Sequence, residues 1–103
     1  MRTITSYEYK IDNDILFFKD KTGFHKVRLV APEDDIYIFR EGKITYALAL
    51  NTHFGHVELQ AFEGGDLIGH ICMQDESILN KYIGKQWYNM TPMTIVKRLA
   101  LYV

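Results

Sequence analysis

The sequence predicts an α+β fold: an antiparallel β-meander of about seven strands, a curved sheet or small barrel, followed by one or two C-terminal helices packed on it. Three observations carry this. Residues 4–73 hold short runs of alternating apolar and polar residues, and side chains alternate between faces along a strand. Short turn-forming clusters rich in Gly, Asp and Asn separate these runs, and neighbours joined so closely are antiparallel. After Met73 the apolar spacing changes to that of a helix.

The runs follow in order. Ile4–Ile11 opens the chain, with Tyr7, Tyr9 and Ile11 on one face and Glu8 and Lys10 on the other. Asp12-Asn13-Asp14 is a turn by side-chain chemistry, since Asp and Asn bond their own backbone and tolerate left-handed geometry. Ile15–Phe18 is a short apolar strand, and Lys19–Gly23 turns it back with a glycine bulge. In Phe24–Val30, Phe24, Lys26, Arg28 and Val30 oppose His25, Val27 and Leu29. Pro32 ends this run, because proline donates nothing to a ladder. Ile36–Phe39 follows, then a short turn at Arg40–Lys43.

The centre of the chain is Lys43–Met73. In Ile44–Leu50, Ile44, Tyr46, Leu48 and Leu50 share a face, and small Ala47 and Ala49 on the other leave room for a packed helix. Val57, Leu59 and Ala61 alternate with Glu58, Gln60 and Phe62. Leu67, Gly69, Ile71 and Met73 alternate with Ile68, His70 and Cys72. Asn51–Gly55 reads as a loose hairpin with Gly55 left-handed, and Glu63-Gly64-Gly65-Asp66 as a tight one.

Residues 74–103 form the helical segment. Asp75 or Ser77 caps a helix carrying Ile78, Leu79, Tyr82 and Ile83, which Gly84 stops. Thr91-Pro92 starts a second, with Ile95, Val96, Leu99 and Tyr102 along one side. Trp87 and Tyr88 sit between them. In element order this is similar to the pleckstrin-homology-like architecture. An open curved sheet with two helices on one face fits the order equally.

Composition narrows the function. The 103 residues suffice for one domain with its own core, 1–103, without metal or disulfide staples. Twelve Lys and Arg against 13 Asp and Glu give a net charge of −1, which argues against a nucleic-acid partner. The single cysteine, Cys72, excludes an internal disulfide and fits a reducing compartment. The first ten residues carry no apolar signal region, and no run reaches membrane-span length, so a cytoplasmic address is expected.

No phosphate loop, dinucleotide fingerprint, paired-cysteine or HExxH motif is present. The absence of a catalytic motif in a small near-neutral chain points to a protein-binding module. It would be an inhibitor, immunity or adaptor protein, of phage or bacterial accessory type, that occupies a partner's surface and needs no cofactor. Its contact residues are expected at Glu33, Asp34 and Asp35, an acidic loop that would steer a basic partner, and at Trp87 and Tyr88, aromatic anchors in the interhelical linker. Self-association through an edge strand, with Ile4–Ile11 as the edge, is a further option.

The alternative is a small metal- or histidine-dependent hydrolase of nuclease or phosphodiesterase type. His53, His56 and His70 would hold a divalent ion. Without metal, His53 or His56 would act as general base, with Glu58 or Glu63 as orienter. Cys72, between Ile71 and Met73, reads as a buried, inert thiol.

Overall fold

A computed structural model describes residues 5–6 and 8–103. Eight strands run through it: β1 (Thr5–Ser6), β2 (Tyr9–Asp12), β3 (Ile15–Asp20), β4 (Gly23–Arg28), β5 (Asp35–Glu41), β6 (Ile44–Asn51), β7 (His56–Glu63) and β8 (Asp66–Met73). Helices α1 (Glu76–Tyr82) and α2 (Pro92–Leu99) follow, with 3-10 turns at Trp87–Asn89 and Ala100–Tyr102. The first expected strand is split between β1 and β2; its residues Ile4 and Tyr7 lie outside the described residues. No described helix is long and apolar enough to cross a membrane.

The meander breaks at Pro32. β2-β3-β4 form one antiparallel sheet, and β1-β5-β6-β7-β8 form another. The molecule is therefore layered: helices, five-stranded sheet, three-stranded sheet. On the helix side, Tyr46, Leu48, Leu50, Val57, Leu59 and Ala61 pack with Leu79, Ile83, Trp87, Ile95, Val96 and Leu99. On the other side, Ile38, Ala47 and Phe62 pack with Leu16, Phe18, Val27 and Leu29. Burying each large apolar side chain contributes about 1.5–3 kcal/mol.

This corrects the placement of the helices. They cover the Tyr46 face, while the three-stranded sheet lies over the small Ala47. A sheet can come close there because an alanine projects so little. One buried side chain ties the sheets together. Gln60 accepts a hydrogen bond from the Val30 amide (3.1 Å) and donates one to the Arg28 carbonyl (3.0 Å).

Local chemistry sets the ends of the elements. Asp75 caps α1 by accepting from the Ser77 amide (2.8 Å) and the Ile78 amide (3.3 Å). Thr91 caps α2 through the Thr94 amide (3.2 Å), with Pro92 in the first turn. Ile78 and Tyr102, expected on the buried helix faces, point outward.

The β7–β8 hairpin holds the one irregularity with consequences. Its turn pairs Glu63 with Asp66 around Gly64, whose φ is 58°. Phe62 pairs with Leu67, but Ala61 pairs with Gly69. Ile68 is thus an extra residue, a β-bulge. Every residue of β8 beyond it is moved to the opposite face from the one the turn alone would give.

Candidate metal centre

The bulge brings the chemistry together. With it, Cys72 lies opposite Glu58, and His70 opposite Gln60. His56, Glu58 and Gln60 share a face of β7, so His56, Glu58, His70 and Cys72 project from one side of the five-stranded sheet. This is the side that carries the three-stranded sheet.

The hairpin before β7 sets His56. The Asn51 side chain accepts from the Phe54 amide (3.0 Å), and Gly55 takes a φ of 68°. His56 therefore opens β7 directly across from Asn51. The same Asn51 donates its amide to Asp34 Oδ1 (3.1 Å), which anchors the Pro32 loop over the hairpin.

Asp34 Oδ2 then lies 2.7 Å from His56 Nδ1. A carboxylate only accepts, so Nδ1 carries the proton and donates it. Nε2 is left facing the other way. It lies 3.4 Å from Glu58 Oε2 and 3.7 Å from Cys72 Sγ. His70 Nε2 lies 3.1 Å from Glu58 Oε1. Gln74 donates to Cys72 Sγ over 3.8 Å.

Burial sharpens this arrangement. The Asp34 side chain is 4 % exposed and Glu58 as a residue 9 %. A carboxylate in such a place needs partners, since an unpaired buried charge costs several kcal/mol. Burial, and then the neighbouring Glu58 carboxylate, push the Cys72 thiol above its ordinary range. A cysteine nucleophile needs the opposite, a stabilised thiolate. The Asp34–His56–Cys72 line resembles a catalytic triad in outline only, because Glu58 opposes the thiolate it would use.

A divalent cation suits the same atoms. The donor atoms of His56, Glu58 and Cys72 lie within 4.8 Å of one another. Ligands about 2.0–2.3 Å from a tetrahedral ion stand roughly 3.3–3.8 Å apart, and the His56–Glu58 and His56–Cys72 separations of 3.4 and 3.7 Å fall in that range. A cation also reverses the penalty, stabilising the carboxylate and the thiolate together. If His56 held an ion through Nε2, Asp34 would be the carboxylate that orients and polarises the imidazole through Nδ1.

The expected residues fall in different places. His56 and His70 lie in the cluster, with Glu58 between them. His53 does not: it is exposed in the hairpin turn, its ring edge-on to Phe54 at 4.9 Å. His25 lies on β4, with Nε2 at 2.8 Å from Asp20. Cys72, expected to be buried and inert, is exposed and belongs to the cluster.

The expected contact residues divide similarly. Trp87 is 3 % exposed and part of the helix-side core, so it anchors the fold and no partner. Asp34 is committed to His56 and Asn51. Glu33, Asp35 and Tyr88 make none of the cluster's contacts described above, and all three are exposed. Sequence reasoning missed the role of Asp34, whose pairing spans 22 positions.

No family model, no curated protein and no solved structure matches this chain.

Proposed function

We propose that the chain is a metal-dependent protein that holds a divalent ion, zinc above all, on His56, Glu58 and Cys72. The observation that carries this is the convergence of an imidazole nitrogen, a carboxylate and a thiol within 4.8 Å on one sheet face. Mixed nitrogen, oxygen and sulfur ligands of this type favour zinc over magnesium or calcium. Three protein ligands leave a fourth position for water, the pattern of hydrolytic rather than structural zinc sites. In that role the ion lowers the pKa of its bound water. Asp34 fixes the His56 ring, and His70, on the solvent side of Glu58, is placed to take a proton. The reading is therefore a small hydrolase of esters or phosphoesters.

The test is metal analysis of untagged protein, followed by cobalt substitution. A stoichiometric ion, with a thiolate-to-cobalt absorption band that disappears in Cys72→Ser, is the expected result. Protein that takes up neither zinc nor cobalt would overturn the reading.

A second reading is favoured by β8. This strand is an edge of its sheet, and Leu67 and Ile68 on it are exposed, as are Leu101 and Tyr102 beyond α2. Exposed apolar edge strands are templates for pairing. This supports a binding module of inhibitor, immunity or adaptor type that docks a protein partner, or its own copy, along β8. Light scattering across a concentration series tests the second-copy form. A strict monomer, unchanged by Ile68→Glu, would exclude it.

A further inference from the structure

We propose that the outer face of the three-stranded sheet is a stacking platform for single-stranded nucleic acid. This goes beyond the metal reading and does not depend on it. The argument begins with register. Phe17 pairs with Lys26, and Lys19 with Phe24, on adjacent strands. Lys10 pairs with Phe17 from the other side. The inner residues Leu16, Phe18 and Val27 are core, so these residues face away from the molecule.

The result is a checkerboard. Two aromatic rings lie on one diagonal and two ammonium groups on the other. Diagonal neighbours in an antiparallel pair stand about 7–8 Å apart. That is close to the spacing of successive bases in an extended single strand. Phe24 is 83 % exposed and Phe17 39 %. Lys19 Nζ sits 5.1 Å from the Phe24 ring centre. Phe24 thus buries little in the isolated chain, and Phe17 beside it is partly covered. Sheet aromatics flanked by cations are how several folds stack unpaired bases.

The charge agrees. On this face Lys10, Lys19, Lys26 and Arg28 stand with Glu8 and Asp12 in a chain whose net charge is −1. Arg28 is partly engaged by Asp14 at 3.6 Å, which leaves the three lysines as the main phosphate contacts. A concavity of about 600 Å³ adjoins the checkerboard and is lined in part by Lys10, Phe17, Lys19, Lys21 and Phe24. The near-neutral total averages this basic face against an acidic remainder, which is why composition points away from nucleic acid.

The experiment is fluorescence anisotropy of the full chain with a labelled oligothymidylate of about 12 nucleotides. The chain should bind the single strand more tightly than a duplex of equal length. Phe24→Ala should weaken binding by about 5–100-fold, and the exposed ring can be removed without touching the core. Lys19→Gln with Lys26→Gln should reduce the slope of log affinity against log salt by about 1.4, near 0.7 for each phosphate no longer neutralised. Lys85→Gln with Lys97→Gln, the same charge change in the helical segment, should leave affinity unchanged. The proposal is overturned by no binding at low salt, by equal binding to duplex, or by Phe17→Ala with Phe24→Ala staying within twofold of wild type. Equal displacement by polyglutamate would also overturn it, as would a loss in the Lys85→Gln, Lys97→Gln variant matching that of the Lys19, Lys26 pair.

Discussion

Asp34 offers the sharpest test of the metal centre, because it touches the centre only through His56. Its carboxylate holds His56 Nδ1 at 2.7 Å and accepts the Asn51 amide at 3.1 Å. Asp34→Ala removes both bonds. The His56 ring then loses the partner that fixes its orientation and raises its basicity as a ligand. Losses of this kind lower metal affinity by roughly 10–100-fold, which is about 1.4–2.7 kcal/mol. Asp34→Asn keeps an oxygen able to accept from Nδ1 but loses the charge, so its loss should sit near the lower end. The assay is competition for zinc against a chromophoric chelator, with circular dichroism as a check that each variant is folded. An Asp34→Ala variant that is folded and binds zinc within twofold of wild type would refute the reasoning. His53→Ala should have no effect, since that ring lies in the turn beside Phe54.

Three further outcomes follow from the packing. Trp87→Ala should cost about 3–5 kcal/mol by denaturant unfolding, because the ring is core, whereas exposed Tyr88→Ala should stay within about 0.5 kcal/mol. Gln60→Leu strands the Val30 amide and the Arg28 carbonyl between the two sheets, and should cost on the order of 2–4 kcal/mol. The Asp20 carboxyl is held down at about 2, chiefly by the Thr22 hydroxyl and then by His25 and the Thr22 amide. Its folded value lies below its unfolded one, so its contribution is present above about pH 4 and lost as pH falls towards 2. Wild type should therefore exceed Asp20→Asn in urea midpoint at neutral pH, and the gap should close across that window. A constant gap would mean that the carboxylate's charge contributes nothing.

The strands were legible because alternation is a local signal. Val57, Leu59 and Ala61 against Glu58, Gln60 and Phe62 can be sorted from six consecutive letters, and the structure sorts them the same way. The helix starts were legible for a similar reason: Asp75 and Thr91-Pro92 act within three residues of themselves. The layer order was not. Nothing near Ala47 says whether a helix or a second sheet will cover it, because either fills the space a small residue leaves. Trp87 was misjudged because its neighbours are loop-like, while its burial is decided by strands far back in the sequence.

The centre itself was half legible, and the missing half is a single register shift. Counting back from the Glu63–Asp66 turn without a bulge would pair Glu58 with Ile71. His70 and Cys72 would then face the helices, on the side of Val57 and Leu59, and no cluster would form. The extra residue at Ile68 reverses this, pairing Glu58 with Cys72. It also keeps Met73 on the helix-side core, where Ile71 packs against it. The core thus enforces the bulge: Ile71 and Met73 must reach the helices, and only the shifted register allows that. Burial of two apolar side chains, worth about 1.5–3 kcal/mol each, outweighs one disrupted ladder position of roughly 0.5–1.5 kcal/mol. The same preference that seats Ile71 and Met73 places Cys72 and His70 beside Glu58. The cluster is therefore held in position by the hydrophobic core on the far side of the sheet, and its geometry does not depend on a bound ion to form.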